Sequence, residues 1–236
     1  MDAEVKSFPA STAATLPAVT IRVQHVGISE SLRRHLTWAQ VVLGILFLEC
    51  AVWAARLSVR SRWAIAAGGL TLLFALADRP TVRRLGLTLP NALGASTALT
   101  ISLATAFLMV LLAWWAGGQI PANPTFPTMR MAGLYVIWAL AQEFLLQSFF
   151  FTRFEELFGS STAVWICATI FATVHLPNMI LTSFTLLGGL FFCEVFRRYR
   201  SIYPIALCHA VLGLTLSLVL PDGLLMHMRV GIGYLR

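Results

Sequence analysis

Three ionisable side chains, Glu143, His175 and His209, lie within or at the ends of long apolar runs, together with the amides Gln142 and Gln147. In a bilayer each such group costs several kcal/mol unless it faces protein, water or a partner, so their spacing carries information. Residues four apart share a helix face, which puts Glu143 and Gln147 on one polar stripe. Gln142 points about 100° away on the same helix and stays within reach of a polar centre. His175 stands one turn beyond Phe171, and Pro177 forbids easy continuation of that helix. The imidazole is therefore expected at a helix end, where backbone carbonyls are free, with Asn178 able to reach the same cavity. His209 lies one turn before Gly213, which leaves an open slot on that face.

A carboxylate and two imidazoles form a kit for hydrolysis. A glutamate can take a proton from water, one histidine can hold that water, and the other can stabilise an oxyanion. The plainer alternative is that each polar residue glues helices together through interhelical hydrogen bonds of about 0.6–2 kcal/mol. Other chemistries leave no trace: there is no HExxH for zinc, no GxSxG for a serine nucleophile and no pair of intramembrane aspartates, since Asp78 and Asp222 fall in loops. Glu194 is read as an ion pair with Arg197 and Arg198, Glu49 as snorkelling or pairing with Arg56, and His227 as exposed in a short tail. Cys208 beside His209 hints at a thiol protease, an alternative weighed down by the divergence of neighbouring side chains on a helix.

The elements that must position these groups follow from composition. Of 236 residues, 58% are hydrophobic and 11% charged, and the mean hydropathy is +0.79. A soluble domain would carry about a quarter charged residues, so the chain reads as a membrane protein. The fold class is all-α, a polytopic transmembrane helix bundle of about seven spans, because lone strands cannot satisfy their backbone in lipid. Spans are predicted at 37–55, 62–77, 92–117, 131–152, 161–176, 179–196 and 202–220, with the second and fifth short of a full crossing. Pro121, Pro124 and Pro127 make Gly118–Thr128 a loop. The organisation expected is a polar tail over 1–35 that is no signal peptide, helices and loops over 36–130, a core over 131–220 and a C-terminal tail over 221–236.

The net charge is +7, and arginines cluster at the ends of apolar runs as bilayer anchors rather than as a nucleic-acid surface. A cytoplasmic N-terminus places Lys6, Arg22, Arg33, Arg34, Arg79, Arg83, Arg84, Arg153, Arg197, Arg198 and Arg200 inside, eleven of the seventeen basic residues, as the positive-inside rule asks. Arg56, Arg60 and Arg62 fall on the other side. The four cysteines are scattered through apolar stretches with no CxxC pair and read as small buried hydrophobes.

At these residues the sequence resembles the CPBP family of CAAX-protease-like and bacteriocin-processing intramembrane proteases. That family is marked by EExxxR, FxxxH and HxxxN or HxxxD, and here the three read Gln142-Glu143-Phe-Leu-Leu-Gln147, Phe171-Ala-Thr-Val-His175 and His209-Ala-Val-Leu-Gly213. The resemblance covers about residues 131–215, including the stretch GGLFFCEVFRRYRSIYPIALCHA. It implies a helical bundle with its active site in a cavity within the membrane. It also implies a glutamate-dependent mechanism in which the first motif glutamate and the FxxxH histidine activate water, while the last motif holds the oxyanion. By position the water-activating glutamate falls on Gln142, the second glutamate on Glu143, the arginine on Gln147 and the asparagine on Gly213. A glutamine is no general base at neutral pH, so either Glu143 takes over, or water is handled differently, or proteolysis is lost.

The leading expectation is a bacterial inner-membrane endopeptidase of this type, acting on a membrane-embedded or membrane-tethered peptide without a soluble cofactor. Its catalytic candidates are Glu143, His175, His209 and Gln142, with Gln147, Phe171 and Asn178 in support. Two alternatives stand beside it: an inactive protease-like scaffold that binds a membrane partner, and a metal-dependent hydrolase in which Glu143, His175 and His209 ligate zinc as a facial set.

Overall fold

The computed structural model describes residues 29–77, 80–117 and 129–236. Lys6, Arg22, Asp78, Arg79, the loop expected at Gly118–Thr128 and most of the expected N-terminal tail lie outside these residues. Among the described residues all regular structure is helical, and the single β-type pairing is an isolated bridge between Leu87 and Ser201.

The chain runs through α1 (Glu30–Trp53), α2 (Leu57–Ala77), α3 (Ala92–Trp115) and α4 (Met129–Glu143). Helix α4 widens into a π-helical stretch, Phe144–Phe151, and resumes as α5 (Thr152–Phe158). Then come α6 (Ser160–Thr173), α7 (Met179–Tyr199), α8 (Ile202–Val219) and the short α9 (Asp222–Leu225). Local chemistry sets several boundaries. Ser29 caps α1 by accepting from the Leu32 N–H, with Glu30 in the first turn, where the helix dipole favours a negative charge. Asn178 caps α7 through the Leu181 N–H, and Arg200 closes that helix in the left-handed conformation.

Among the described residues six helices, against the seven spans expected, are long and apolar enough to cross a membrane. The predicted span at 161–176 is the one that falls short: α6 ends at Thr173 and, with 14 residues, is about 21 Å long at 1.5 Å per residue. Its apolar run continues through Val174 into a turn, and composition does not distinguish the two. The other span expected to be short gains length instead, because α2 takes in Arg60 and Arg62. The expected tail also ends early, since Glu30–His35 already form the first turns of α1. The C-terminal segment is tied down: Asn178 Nδ2 donates to Leu225 O (2.8 Å) and Arg229 O (3.4 Å), and the Gly231 N–H donates to Leu176 O (2.7 Å).

The core belongs to the second half of the chain. Phe149, Phe150, Phe151, Phe154 and Phe196 are buried together with Cys167, Cys193 and Ile205. Lipid is as apolar as these side chains, so the cluster coheres by close packing rather than by escape from water. The α6–α7 pair is tight enough that a Cβ at Gly189 would lie 3.0 Å from the Ala168 Cα, the small-residue approach expected of membrane helices. One end of the bundle gathers the basic residues around acids. Glu156 pairs with Arg33 (2.6 Å) and Arg84 (2.8 Å), Glu155 pairs with Arg200, and Glu194 holds Arg197 and Arg198 as the spacing predicts.

Candidate active site

Helix α4 brings Gln142 and Glu143 to the centre of the bundle on different faces. Glu143 points into the core and is fully buried. Its two oxygens have separate partners: Oε1 accepts from His209 Nδ1 at 2.8 Å, and Oε2 accepts from Gln147 Nε2 at 3.1 Å. Gln147, likewise fully buried, also reaches Cys193 Sγ at 3.5 Å. The stripe read from the four-residue spacing is therefore a bonded pair, and α8 lays His209 against it. An ionised carboxylate can only accept, so beside ionised Glu143 the His209 Nδ1 is the donor, and Nε2 of a neutral ring is then an acceptor.

Aromatic rings fix the His209 plane. Phe192 stacks on it (5.3 Å between centroids, 15° between planes), and Phe171 and Tyr135 meet it edge to face at 5.6 Å and 6.4 Å. His175 lies on the other flank of Phe171, 5.0 Å from its centroid. Its Nδ1 donates to the Phe171 carbonyl at 2.6 Å, at the end of α6, as the helix-end reading predicts. That carbonyl can only accept, so Nε2 of a neutral His175 is an acceptor too. Among the described residues no group hydrogen-bonds Nε2 of either histidine.

His175, His209, Gln142 and Phe171 line one partly open cavity of about 580 Å³, whose remaining lining is mostly apolar side chains of α3, α7 and α8. The volume is that of an ordinary ligand pocket. A second, more apolar cavity of about 840 Å³ between α1, α2 and α4 shares Trp138, Gln142, Phe171, His175 and Val230 with the first. Gln142 and His175 thus stand where the two spaces meet. Among the described residues no carboxylate lines either cavity; Glu143 meets the first through His209.

The remaining expectations fall elsewhere. Asn178 is buried at the start of α7, where its side chain caps the helix and holds the C-terminal segment, and it does not line the cavity. The slot expected above Gly213 is filled by the ring and hydroxyl of Tyr135. The facial metal set is not assembled either: Glu143 and His209 bind each other, and among the described residues no three His, Cys, Asp or Glu side chains converge on a common point. Tyr135 is the cavity residue that sequence reasoning passed over. Its position two turns before Glu143 was the available signal, but a tyrosine in an apolar helix is usually packing.

The six helices among the described residues that are long and apolar enough to cross a membrane mark a multi-pass membrane protein, with a carboxylate-bonded imidazole beside a cavity. Residues 124–215 match the family model described as Type II CAAX prenyl endopeptidase Rce1-like. That segment, which holds Gln142, Glu143, His175 and His209, is thus similar to the CPBP proteases. No curated protein and no solved structure matches the chain.

Proposed function

We propose that the protein is an intramembrane endopeptidase that hydrolyses a peptide bond of a membrane-embedded or membrane-tethered substrate. The observation that carries this reading is the Glu143–His209 pair, whose free ring edge faces the cavity that also holds His175 and Gln142. A buried carboxylate behind an imidazole orients the ring and stabilises its protonated form, which is what a general base needs. In this scheme water lies between the two Nε2 atoms. His209 takes its proton, His175 accepts its second hydrogen bond, and the oxygen attacks the peptide carbonyl carbon. The Gln142 carboxamide donates to the oxygen that gains the negative charge. The C–N bond then breaks and His209 returns the proton to the departing amine. Glu143 is a positioning residue here, and the role that a cavity carboxylate would play passes to the histidine in front of it.

The end of the bundle with Arg33, Arg84, Arg197, Arg198 and Arg200 is proposed to face the cytoplasm, by the positive-inside rule, with the cavity at membrane depth in the cell membrane. A second reading, a scaffold that binds a membrane peptide without cutting it, is favoured by the lack of any carboxylate among the described residues that line the cavities. The experiment that separates them incubates wild type and His209→Ala in nanodiscs with a membrane-anchored peptide library in ¹⁸O-water. The peptidase reading expects cleavage with one ¹⁸O atom in each new carboxyl terminus, and at least about a 10²-fold loss in His209→Ala, the usual cost of a missing general base. A folded wild type that binds peptides and releases no product would establish the scaffold.

A further inference from the structure

The geometry points to Tyr135 as a catalytic residue, its hydroxyl donating a hydrogen bond to the substrate carbonyl oxygen beside His209, in a place that exists because residue 213 is glycine. The inference rests on the peptidase reading above.

A side chain one turn after His209 on α8 would project into the cavity from position 213. Glycine stands there, and a Cβ built on it would collide with Tyr135 Oη and lie 3.0 Å from Tyr135 Cζ. The hydroxyl of an α4 residue therefore occupies the volume that an α8 side chain would fill. Both residues line the same cavity as His209, His175 and Gln142, and the tyrosine ring stands edge-on to the imidazole at 83°. This fixes the ring's direction and carries the hydroxyl past His209 towards Gly213. Among the described residues no group hydrogen-bonds Tyr135 Oη, although a tyrosine placed among apolar side chains normally has a partner for its O–H. The lining around it is otherwise mostly apolar, from Ile101, Met109, Leu212 and Leu216. A carbonyl oxygen entering such a space would find few donors, and Tyr135 Oη and the Gln142 carboxamide approach from the same helix. In a water-poor site a fixed donor contributes most where charge develops, which is the carbonyl oxygen after water attacks. The O–H keeps its proton throughout, so the step balances as written for hydrolysis.

The test compares wild type, Tyr135→Phe, Gly213→Ala and the double variant in nanodiscs, with a cleavable membrane-anchored peptide and the corresponding peptide aldehyde. Tyr135→Phe keeps the ring and removes the donor, so kcat should fall about 10²- to 10³-fold, as for loss of one oxyanion donor, while KM holds. Gly213→Ala should displace the hydroxyl and give a similar fall, and the double variant should fall no further than Tyr135→Phe. Affinity for the aldehyde, whose hydrate mimics the tetrahedral species, should fall with kcat. Should either single variant fail to fold, the other carries the test. Wild-type kcat in Tyr135→Phe or in Gly213→Ala, an effect on KM alone, or additive losses in the double variant would overturn the proposal and leave the peptidase reading standing. Absence of cleavage and of aldehyde binding in folded wild type would overturn both.

Discussion

Behind His209 lies a sealed polar layer of Glu143, Gln147 and Cys193, all of them fully buried, whereas in front of it an apolar cavity is fringed by Gln142, His175 and Tyr135. The two regions are one side chain apart and obey different rules. In the sealed layer Glu143 accepts from both His209 and Gln147, so removing it strands two donors, and Gln147 Oε1 is the one polar atom there with no partner among the described residues. On the cavity side Nε2 of both histidines and the Tyr135 hydroxyl have no partner among the described residues, so a change there costs the fold little and falls on whatever enters. On the peptidase reading proposed above, the comparison teaches that stability and chemistry are divided between the two faces of a single imidazole.

The largest expected effect breaks the sealed side. Glu143→Ala strands the His209 Nδ1–H and the Gln147 amide, each a buried donor whose loss of a partner costs about 1–3 kcal/mol, and the unfolding midpoint in detergent should fall accordingly. Next comes Gln142→Ala on the cavity side, where the same measurement should show no loss of stability. Cleavage should drop about 10²- to 10³-fold if the carboxamide donates to the oxyanion. If Gln142→Ala instead unfolds the protein, the division between the two regions is wrong. The smallest effect lies away from both. Glu156→Gln removes ion pairs with Arg33 and Arg84 at the basic end, where the arginines are largely exposed. Such pairs contribute below about 1 kcal/mol, so thermal stability should change little and cleavage not at all.

How much of this was legible in the sequence depends on range. Features set within one or two helical turns came through: the Glu143–Gln147 bond from four-residue spacing, His175 over a free carbonyl ahead of Pro177, and Glu194 with its two arginines. The helical period fixes the angle between Gln142 and Glu143. It does not say which of the two faces the cavity, because that depends on how α4 is rotated against α8. Tyr135 filling the Gly213 slot is likewise a contact between distant segments, and an empty position in a sequence does not say what fills it. That α6 falls short of a crossing was legible, but where it ends was not, since Val174 and Leu176 are as apolar in the turn as they would be in the helix.

The central claim is that the carboxylate acts from behind His209, and the most direct test is the single-turnover cleavage rate of Glu143→Gln beside wild type, with unfolding midpoints measured in parallel. The substitution is nearly isosteric and keeps an oxygen for the His209 Nδ1–H, so it removes the charge while leaving the ring a partner. The amide can also turn its NH₂ to Nδ1 and leave the ring proton on Nε2, where it blocks base function. The account predicts a fold that persists and a rate lower by about 10²- to 10⁴-fold, the range for loss of general-base catalysis. A folded Glu143→Gln protein that cleaves at the wild-type rate would contradict it.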